Sequence, residues 1–361
     1  METHLLQNLP FAVYRKPNED KVRAILQNDT TLHHCVDFSE KGFVFAPFNA
    51  ASSPILLQPE SVLEEDYLPG KVSNANVENL SPLGENGKEI HMDLVIRGIK
   101  EIEKGNLKKV VLSRKLEVKC DKLPMDLFRE LLGRYPTAFC YLWYHPKVGM
   151  WLGASPELLL SVRNKQLYTS SIAGTQVFNG EENPIWGKKE LEEQDMVTHY
   201  ITEALENKVT DVRVSGTKSV RAGNLWHLGT NISGRIKDMA LSPIIKALHP
   251  TPAVCGLPQK LSQKFILEHE NYDREFYTGF LGELNRKEQV GRSDNPRNQE
   301  NAAYKLVRNT TQLFVNLRCM QIDGNTATLY VGGGITRASD PEKEWQETVE
   351  KSGTLLKVIF D

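Results

Sequence analysis

Short alternating runs of apolar and polar residues, broken by stretches of helical periodicity, run through most of this 361-residue chain. Near the start, Phe11 to Tyr14 and Gly42 to Pro47 read as strands and Asp20 to Gln27 as a short helix. From His91 to Gly105 the apolar residues Leu94, Val95, Ile99 and Ile102 recur at helical spacing, with Gly105 as the stop. Lys108 to Val118 is rich in β-branched residues and predicts a strand. A helix over Asp126 to Tyr135 follows, then strands over Ala138 to Tyr144, Gly149 to Gly153 and Tyr168 to Val177, the last interrupted by Ala173, Gly174 and Thr175. Gly187 to Asn207 is predicted helical, as is Leu241 to Leu248, whereas Asp273 to Leu281 looks strand-like. The strongly polar segment Asn285 to Asn309 predicts a surface excursion. Order resumes at Thr311, where alternation puts Leu313, Val315 and Leu317 on one face of a strand and Arg318 on the other. Finally, Ala327 to Val331 reads as a buried strand, and Gly332, Gly333 and Gly334 as a turn with bare amides. A helix then opens on the capping box Ser339–Glu342 with Pro341 in its first turn.

Strands separated by helices without regular βαβ units point to an α+β fold built on two large, mostly antiparallel sheets flanked by helices. The Asn-, Ser-, Gly- and Pro-rich stretch Ser73 to Lys88 is the best linker in the first third. It divides an N-terminal layer of the same compact unit, residues 1–88, from a main domain, residues 89–361.

Composition narrows the partners. The net charge of -2 leaves no basic footprint for nucleic acid or a membrane surface, and no apolar run approaches the ~20 residues of a membrane span, so a small-molecule partner is expected. The five cysteines lack metal-site spacing and read as reduced core residues. The N-terminus carries no charged-then-apolar leader pattern, and a cytoplasmic protein is expected.

Candidate chemistry then attaches to particular positions. Lys109 enters a buried run and is either a base or a solvated strand-edge lysine; burial favours the neutral form a base needs. Glu157, delivered by the Ser155–Pro156 turn into Leu158, Leu159 and Leu160, is a general acid or a salt-bridged glutamate. Glu190 and Glu193 stand three apart on one predicted helix, as do Glu344 and Glu347 on the last. Four carboxylates make a hard-oxygen set suited to magnesium, and without a metal such a cluster implies wide separation. His227, in WHLGT, is a ligand, an orienting group or a satisfied core histidine. Arg318 is a sheet-edge ion pair or a carboxylate clamp.

The ordered motifs KVVLSR, GASPELL, WHLGT, HPTPAVCGLP, DREFYTG and GGGI…EWQET…K, over roughly residues 89 to 361, resemble the chorismate-utilising enzymes. That family holds isochorismate, salicylate, anthranilate and aminodeoxychorismate synthases. The resemblance implies two antiparallel sheets flanked by helices, with chorismate and Mg2+ bound in a cleft. It implies that Lys109 activates water and Glu157 protonates the departing hydroxyl. Glu193 and Glu347 would be direct magnesium ligands, Glu190 and Glu344 ligands through water. Gly174 and Thr175 would hold the ring carboxylate; Tyr277, Arg318, Lys351 and the amides of Gly332 and Gly333 the enolpyruvyl carboxylate; His227 would lie near the ring.

Lysine at 109 resembles the members that use water instead of ammonia, so no glutaminase subunit is expected and a monomer suffices. Alanine at 253 resembles the isochorismate synthases, where salicylate synthases carry threonine. The implied activity is conversion of chorismate to isochorismate, feeding menaquinone or siderophore synthesis. The alternatives are salicylate synthase, the large subunit of an ammonia-using synthase, or an inactive chorismate-binding protein. One departure stands out: Glu283 follows Gly282 where many relatives have tryptophan.

Overall fold

The computed structural model describes residues 1–67, 87–178, 180–222, 225–238, 240–291 and 305–360. Two antiparallel sheets dominate it. Edge to edge, the nine-stranded sheet runs Gly256–Leu257, Lys109–Lys119, Thr326–Ile335, Cys319–Asp323, Gly149–Ser155, Phe139–His145, Phe11–Arg15, Lys21–Leu26, Ser61–Asp66. The ten-stranded sheet contains Val209–Val214, Leu225–Ile236, Gln166–Val177, Leu158–Arg163, Lys305–Val315, Phe280–Gly291, Gly42–Ala46, Ile55–Leu57 and His33–His34 along its path, with Lys218–Ala222 also paired to Leu225–Ile236. The N-terminal strands therefore extend both sheets: Phe11–Arg15 pairs with Phe139–His145, and Gly42–Ala46 with Phe280–Gly291.

Alternation along the strands builds the layers. Phe139, Tyr141 and Trp143 point to the aromatic seam between the sheets, where Phe139 stacks on Phe314 at 4.3 Å and Phe45 on Phe276 at 4.2 Å. Cys140 and Leu142 point the other way, into a core closed by the helices Pro124–Arg134 and Pro341–Phe360. On the outer face of the ten-stranded sheet, Val197, Ile201 and Leu205 of the helix Lys188–Leu205 pack with Ile244, Ile245 and Leu248 of Ser242–Leu248. Each sheet thus carries helices on its outer face, with the two sheets packed against each other.

Several local expectations need correction. Lys21–Leu26 is a strand, not a helix: Ala24 and Leu26 enter one core and Ile25 the other, so period two wins over a short helical reading. Asp273 to Leu281 is not one strand; the strand begins at Phe280, after a turn in which Glu275 and Thr278 adopt left-handed backbone. The helix Gln259–His269 was not foreseen. The polar segment is in part a long hairpin, Phe280–Gly291 with Lys305–Val315, while residues 292–304 lie outside the described set. Most of the expected linker, residues 73–86, does so too. Gly332 to Gly334 are not a turn but the end of the strand Thr326–Ile335, paired to Ser113, Leu112 and Val111. The neighbouring strand stops pairing at Leu329, so their other edge is left open. Asp340, not Ser339, caps the last helix, its Oδ1 accepting the Lys343 N–H at 3.0 Å.

The segment Thr311 to Ile322 holds the most consequential difference. It is two strands in two sheets: Lys305–Val315 belongs to the ten-stranded sheet, Cys319–Asp323 to the nine-stranded one, and the chain crosses between them at Asn316, Leu317 and Arg318. Arg318 takes a left-handed φ of 48° there. A second crossing lies alongside, where Pro156 and Glu157 carry the chain from Gly149–Ser155 to Leu158–Arg163. The two are stitched together: Val315 N–H donates to Glu157 O at 3.0 Å, Ser155 Oγ to Val315 O at 2.5 Å, and Ala154 N–H to Arg318 O at 3.0 Å. Asn316 is fully buried and fixes the junction, its side-chain amide donating to Phe276 O at 2.9 Å and its carbonyl accepting the Tyr141 hydroxyl at 2.6 Å.

Glu283 lies in the seam, 1% exposed, accepting the Tyr14 hydroxyl at 2.5 Å and paired with Lys16 and, at 2.8 Å, with Arg286. Burial alone would raise its carboxyl, but Lys16 and Arg286 outweigh that and hold it below the usual range. This contribution to stability is present above the ordinary carboxylate range and lost as pH falls through the lowered value. Glu283→Gln strands a buried lysine and is expected to cost about 3–5 kcal/mol in a urea titration at pH 7; a loss under about 1 kcal/mol would show the network to be dispensable.

Candidate active site

A cleft opens beside the crossings, with walls from both sheets and a rim from two acidic helices. Its lining includes Glu157, Gly174, Thr175, His227, Ala253, Tyr277, Arg318, Gly332 and Gly333 from the sheets and loops, and Glu190, Glu193, Glu347 and Lys351 from the helices. Two of the expected residues, Lys109 and Glu344, stand just behind this surface, joined to it through ion pairs.

Lys109 is fully buried, and its Nζ lies 2.6 Å from Glu193 Oε1. Hence it is not a solvated strand-edge residue. Glu157 is 5% exposed, and burial pushes its carboxyl up to about 8 against the opposing pull of Lys109. At neutral pH it holds a proton, as a general acid must. No salt-bridge partner offsets that burial among the described residues.

Glycines set the floor between the acidic helices. A Cβ on Gly334 would come within 2.7 Å of Glu193 Oε1 and 3.0 Å of Lys109 Cε; one on Gly333 would meet Glu344 Oε2 at 3.2 Å and Glu347 Oε1 at 3.7 Å. A side chain at either position would push these carboxylates and the lysine aside. Glu190 reaches the opposite wall, with Gly174 at a left-handed φ of 68° facing its Cβ. That wall bends because the register of Gln166–Val177 slips between Ala173 and Gln176, turning Gly174 and Thr175 toward the cleft.

Three of the four glutamates are compensated by lysines, an arrangement not anticipated from charge repulsion. Glu193 pairs with Lys109, Glu344 with Lys189 at 2.9 Å, and Glu347 with Lys351 at 2.5 Å. Lys189 was missed in the sequence because it sits in an ordinary Lys-Lys-Glu run; only tertiary packing brings it 155 residues along to Glu344. Among the described residues no three acidic, histidine or cysteine side chains meet as a ready metal group. Burial and then Glu347 raise the Glu344 carboxyl, with Lys189 opposing, and its buried Oε2 has no hydrogen-bond partner among the described residues. Glu347 is held low: burial raises it, but Lys351 outweighs burial. The orphaned Glu344 Oε2, facing Gly333 beside Glu347, is a hard-oxygen donor of the kind that suits a divalent cation.

The cationic side differs from expectation in detail. Arg318 has no carboxylate partner among the described residues; its guanidinium donates to Lys351 O at 3.1 Å and Thr354 Oγ1 at 3.3 Å, bracing the last helix. Lys351 Nζ also donates to Gly332 O at 2.9 Å. Tyr277 stacks on Tyr330 at 5.4 Å. Its turn is held by Arg274, another residue the sequence did not single out, which is ion-paired with Glu270 at 2.6 Å and donates to Val111 O at 2.7 Å and Val254 O at 3.0 Å. His227 is neutral: burial, aided by Arg318, lowers its imidazole to about 3. With Nδ1 donating to Gly174 O at 2.9 Å, its buried Nε2 is left as an unpartnered acceptor facing the cleft.

Residues 56–291 match a family model described as chorismate binding enzyme, and residues 304–357 match a second so described. The chain is 31% identical, over 71% of its length, to a protein of Aeromonas hydrophila named as a candidate isochorismate synthase, of which the match spans 62%. It is 28% identical, over 87% of its length, to the isochorismate synthase DhbC of Bacillus subtilis, spanning 79% of that protein. Among solved structures, a candidate 2,3-dihydroxybenzoate-specific isochorismate synthase of Bacillus anthracis superposes with a TM-score of 0.77 at 25% identity over 99% of both chains. The two-sheet architecture, the ordered motifs and a family match over most of the sequence agree: the chain belongs to the chorismate binding enzyme family.

Proposed function

We propose that the chain is an isochorismate synthase that moves the hydroxyl of chorismate from C4 to C2. The observation that carries this reading is Glu157, a carboxyl kept protonated by burial at the point where the chain crosses between sheets. Chorismate enters with its enolpyruvyl carboxylate toward Arg318, Tyr277, Lys351 and the open edge of Gly332 and Gly333, and its ring carboxylate toward Gly174 and Thr175. Lys109, freed from Glu193 as the neutral amine, takes a proton from the water that adds at C2 and becomes the ammonium. Glu157 gives its proton to the C4 hydroxyl, which leaves as water while the ring double bond shifts, so water is added and lost with no net change in formula. His227 Nε2 accepts a hydrogen bond near the ring.

Glu190, Glu193, Glu344 and Glu347 would hold Mg2+, which supplies positive charge that binds the ring carboxylate and stabilises charge developing on it. Ala253 leaves that stretch of the wall without a hydroxyl. With water as nucleophile, no glutaminase partner is required, and a monomer working in the cytoplasm suits five buried, unpaired thiols. No helix among the described residues is long and apolar enough to cross a membrane.

The test is incubation of the purified chain with chorismate and magnesium, with products separated by chromatography. Isochorismate without pyruvate is expected, with turnover abolished by a chelator and restored by added magnesium. Salicylate with pyruvate would replace this reading by salicylate synthesis, and no consumption of chorismate would overturn it.

A further inference from the structure

A second cavity, of about 280 Å³, shares no lining residue with the first. Alternation along Lys109–Lys119 puts Arg114 on the strand face opposite Lys109, with Val110 and Leu112, under the helices Lys88–Glu103 and Pro341–Phe360. Arg114 lines this cavity and is 7% exposed. Its guanidinium lies 4.1 Å from the centre of the Trp345 ring, and Nε donates to Thr348 Oγ1 at 2.8 Å. Both Nη atoms are buried with no hydrogen-bond partner among the described residues. His91, 3% exposed on the same wall, has its Nδ1 buried and unpartnered as well.

No ion-pair partner neutralises this pair among the described residues. Among the described residues the one acid lining the cavity, Asp93, is taken by Arg97 at 2.6 Å, and the lining Lys115 is paired with Glu117 at 2.8 Å, so neither acid reaches Arg114. Burial lowers the Arg114 guanidinium to about 10, opposed only by Tyr272. The first turn of Lys88–Glu103 also borders the cavity, and its amides have no side-chain cap. A guanidinium without an anion and with both NH2 groups unpaired is costly to bury. The fork geometry of the free Nη pair matches an oxyanion.

We propose that this cavity binds an oxyanion, a carboxylate or phosphate carried on a small organic body, gripped by both Nη atoms of Arg114 beside His91 and the uncapped helix start, with Ile90 and Leu94 against the body. The site is separate from the cleft, yet Arg114 rests on Trp345 and Thr348 of the same helix that carries Glu344, Glu347 and Lys351. A bound anion would thus brace that helix from behind.

The full chain is titrated by calorimetry with inorganic phosphate and, separately, with benzoate, at constant ionic strength. Saturable binding of phosphate assigns a phosphorylated ligand, of benzoate a carboxylate one; either supports the site if Arg114→Gln weakens it by about tenfold or more, equivalent to ~1.4 kcal/mol. Ile90→Glu, at a position 63% exposed and so harmless to folding, is expected to weaken the same binding severalfold by placing a like charge at the rim, and it decides the matter if Arg114→Gln does not fold. Lys351→Met separates the two cavities, since it should leave this binding in place. The proposal is overturned if neither anion saturates below about 10 mM, if both rim and guanidinium variants bind as tightly as the parent, or if binding disappears in Lys351→Met while surviving in Arg114→Gln.

Discussion

Glu157→Gln is expected to lower chorismate turnover by about 10²–10⁴-fold, the usual worth of a positioned general acid, while leaving the fold intact. The amide keeps the shape of the carboxyl in a site that is already electrically neutral near pH 7, so little repacking is required. The same substitution has an opposite effect on stability. Because the folded carboxyl is raised from 4.5 to about 8, the folded chain binds a proton that the unfolded chain has released, and stability falls as pH rises through that window. At pH 8 this penalty is on the order of a few kcal/mol, and glutamine removes it. Melting temperatures measured from pH 5 to 8.5 should therefore fall less steeply for Glu157→Gln than for the parent, and kcat/KM of the parent should decline above pH ~8 as the acid form is lost. A variant that is both fully active and unchanged in its pH–stability curve would remove Glu157 from the acid role.

Lys109→Ala is expected to abolish measurable turnover, a loss of about 10²–10⁴-fold or more, with chorismate binding largely retained. Lys109 lies behind the cleft surface instead of on it, which is why binding should survive. Alanine also strips Glu193 of its cation and opens a void at a fully buried position, so Lys109→Met, which keeps the volume, serves as the companion. Equilibrium binding of chorismate, followed by a single-turnover chase, separates the two quantities. Residual activity within about tenfold of the parent in both variants would assign water activation to another group.

Much of this was legible in the chain, for reasons that differ by residue. The burial of Glu157 could be read because a Ser-Pro turn feeding three leucines delivers the carboxyl into an apolar run, although that pattern alone left open a general acid or a salt-bridged glutamate. The paired glutamates could be read because three-residue spacing on a helix fixes a shared face. What escaped depended on distant parts of the chain. Lys189 and Arg274 act through partners supplied by tertiary packing, as at Glu344 and Val111. The stretch around Asn316 defeated periodicity for a different reason: alternation continues unbroken from Leu313 to Leu317, although the backbone changes sheets there. Pattern records which face is apolar, and both sheets present apolar faces to the same seam.

Those two crossings have a consequence for anyone who would divide the protein. A break anywhere between Glu157 and Lys305 leaves each fragment holding strands of both sheets and neither sheet whole: Gly149–Ser155 would be severed from its partner Cys319–Asp323, and Leu158–Arg163 either from Gly149–Ser155, which precedes it in the chain, or from its partner Lys305–Val315. Two such pieces, produced separately, would have to exchange strands to rebuild anything, so complementation should require co-expression, and a half-length version should not serve as a minimal enzyme. The halves of this chain are interlaced, and its chemistry sits at the lacing.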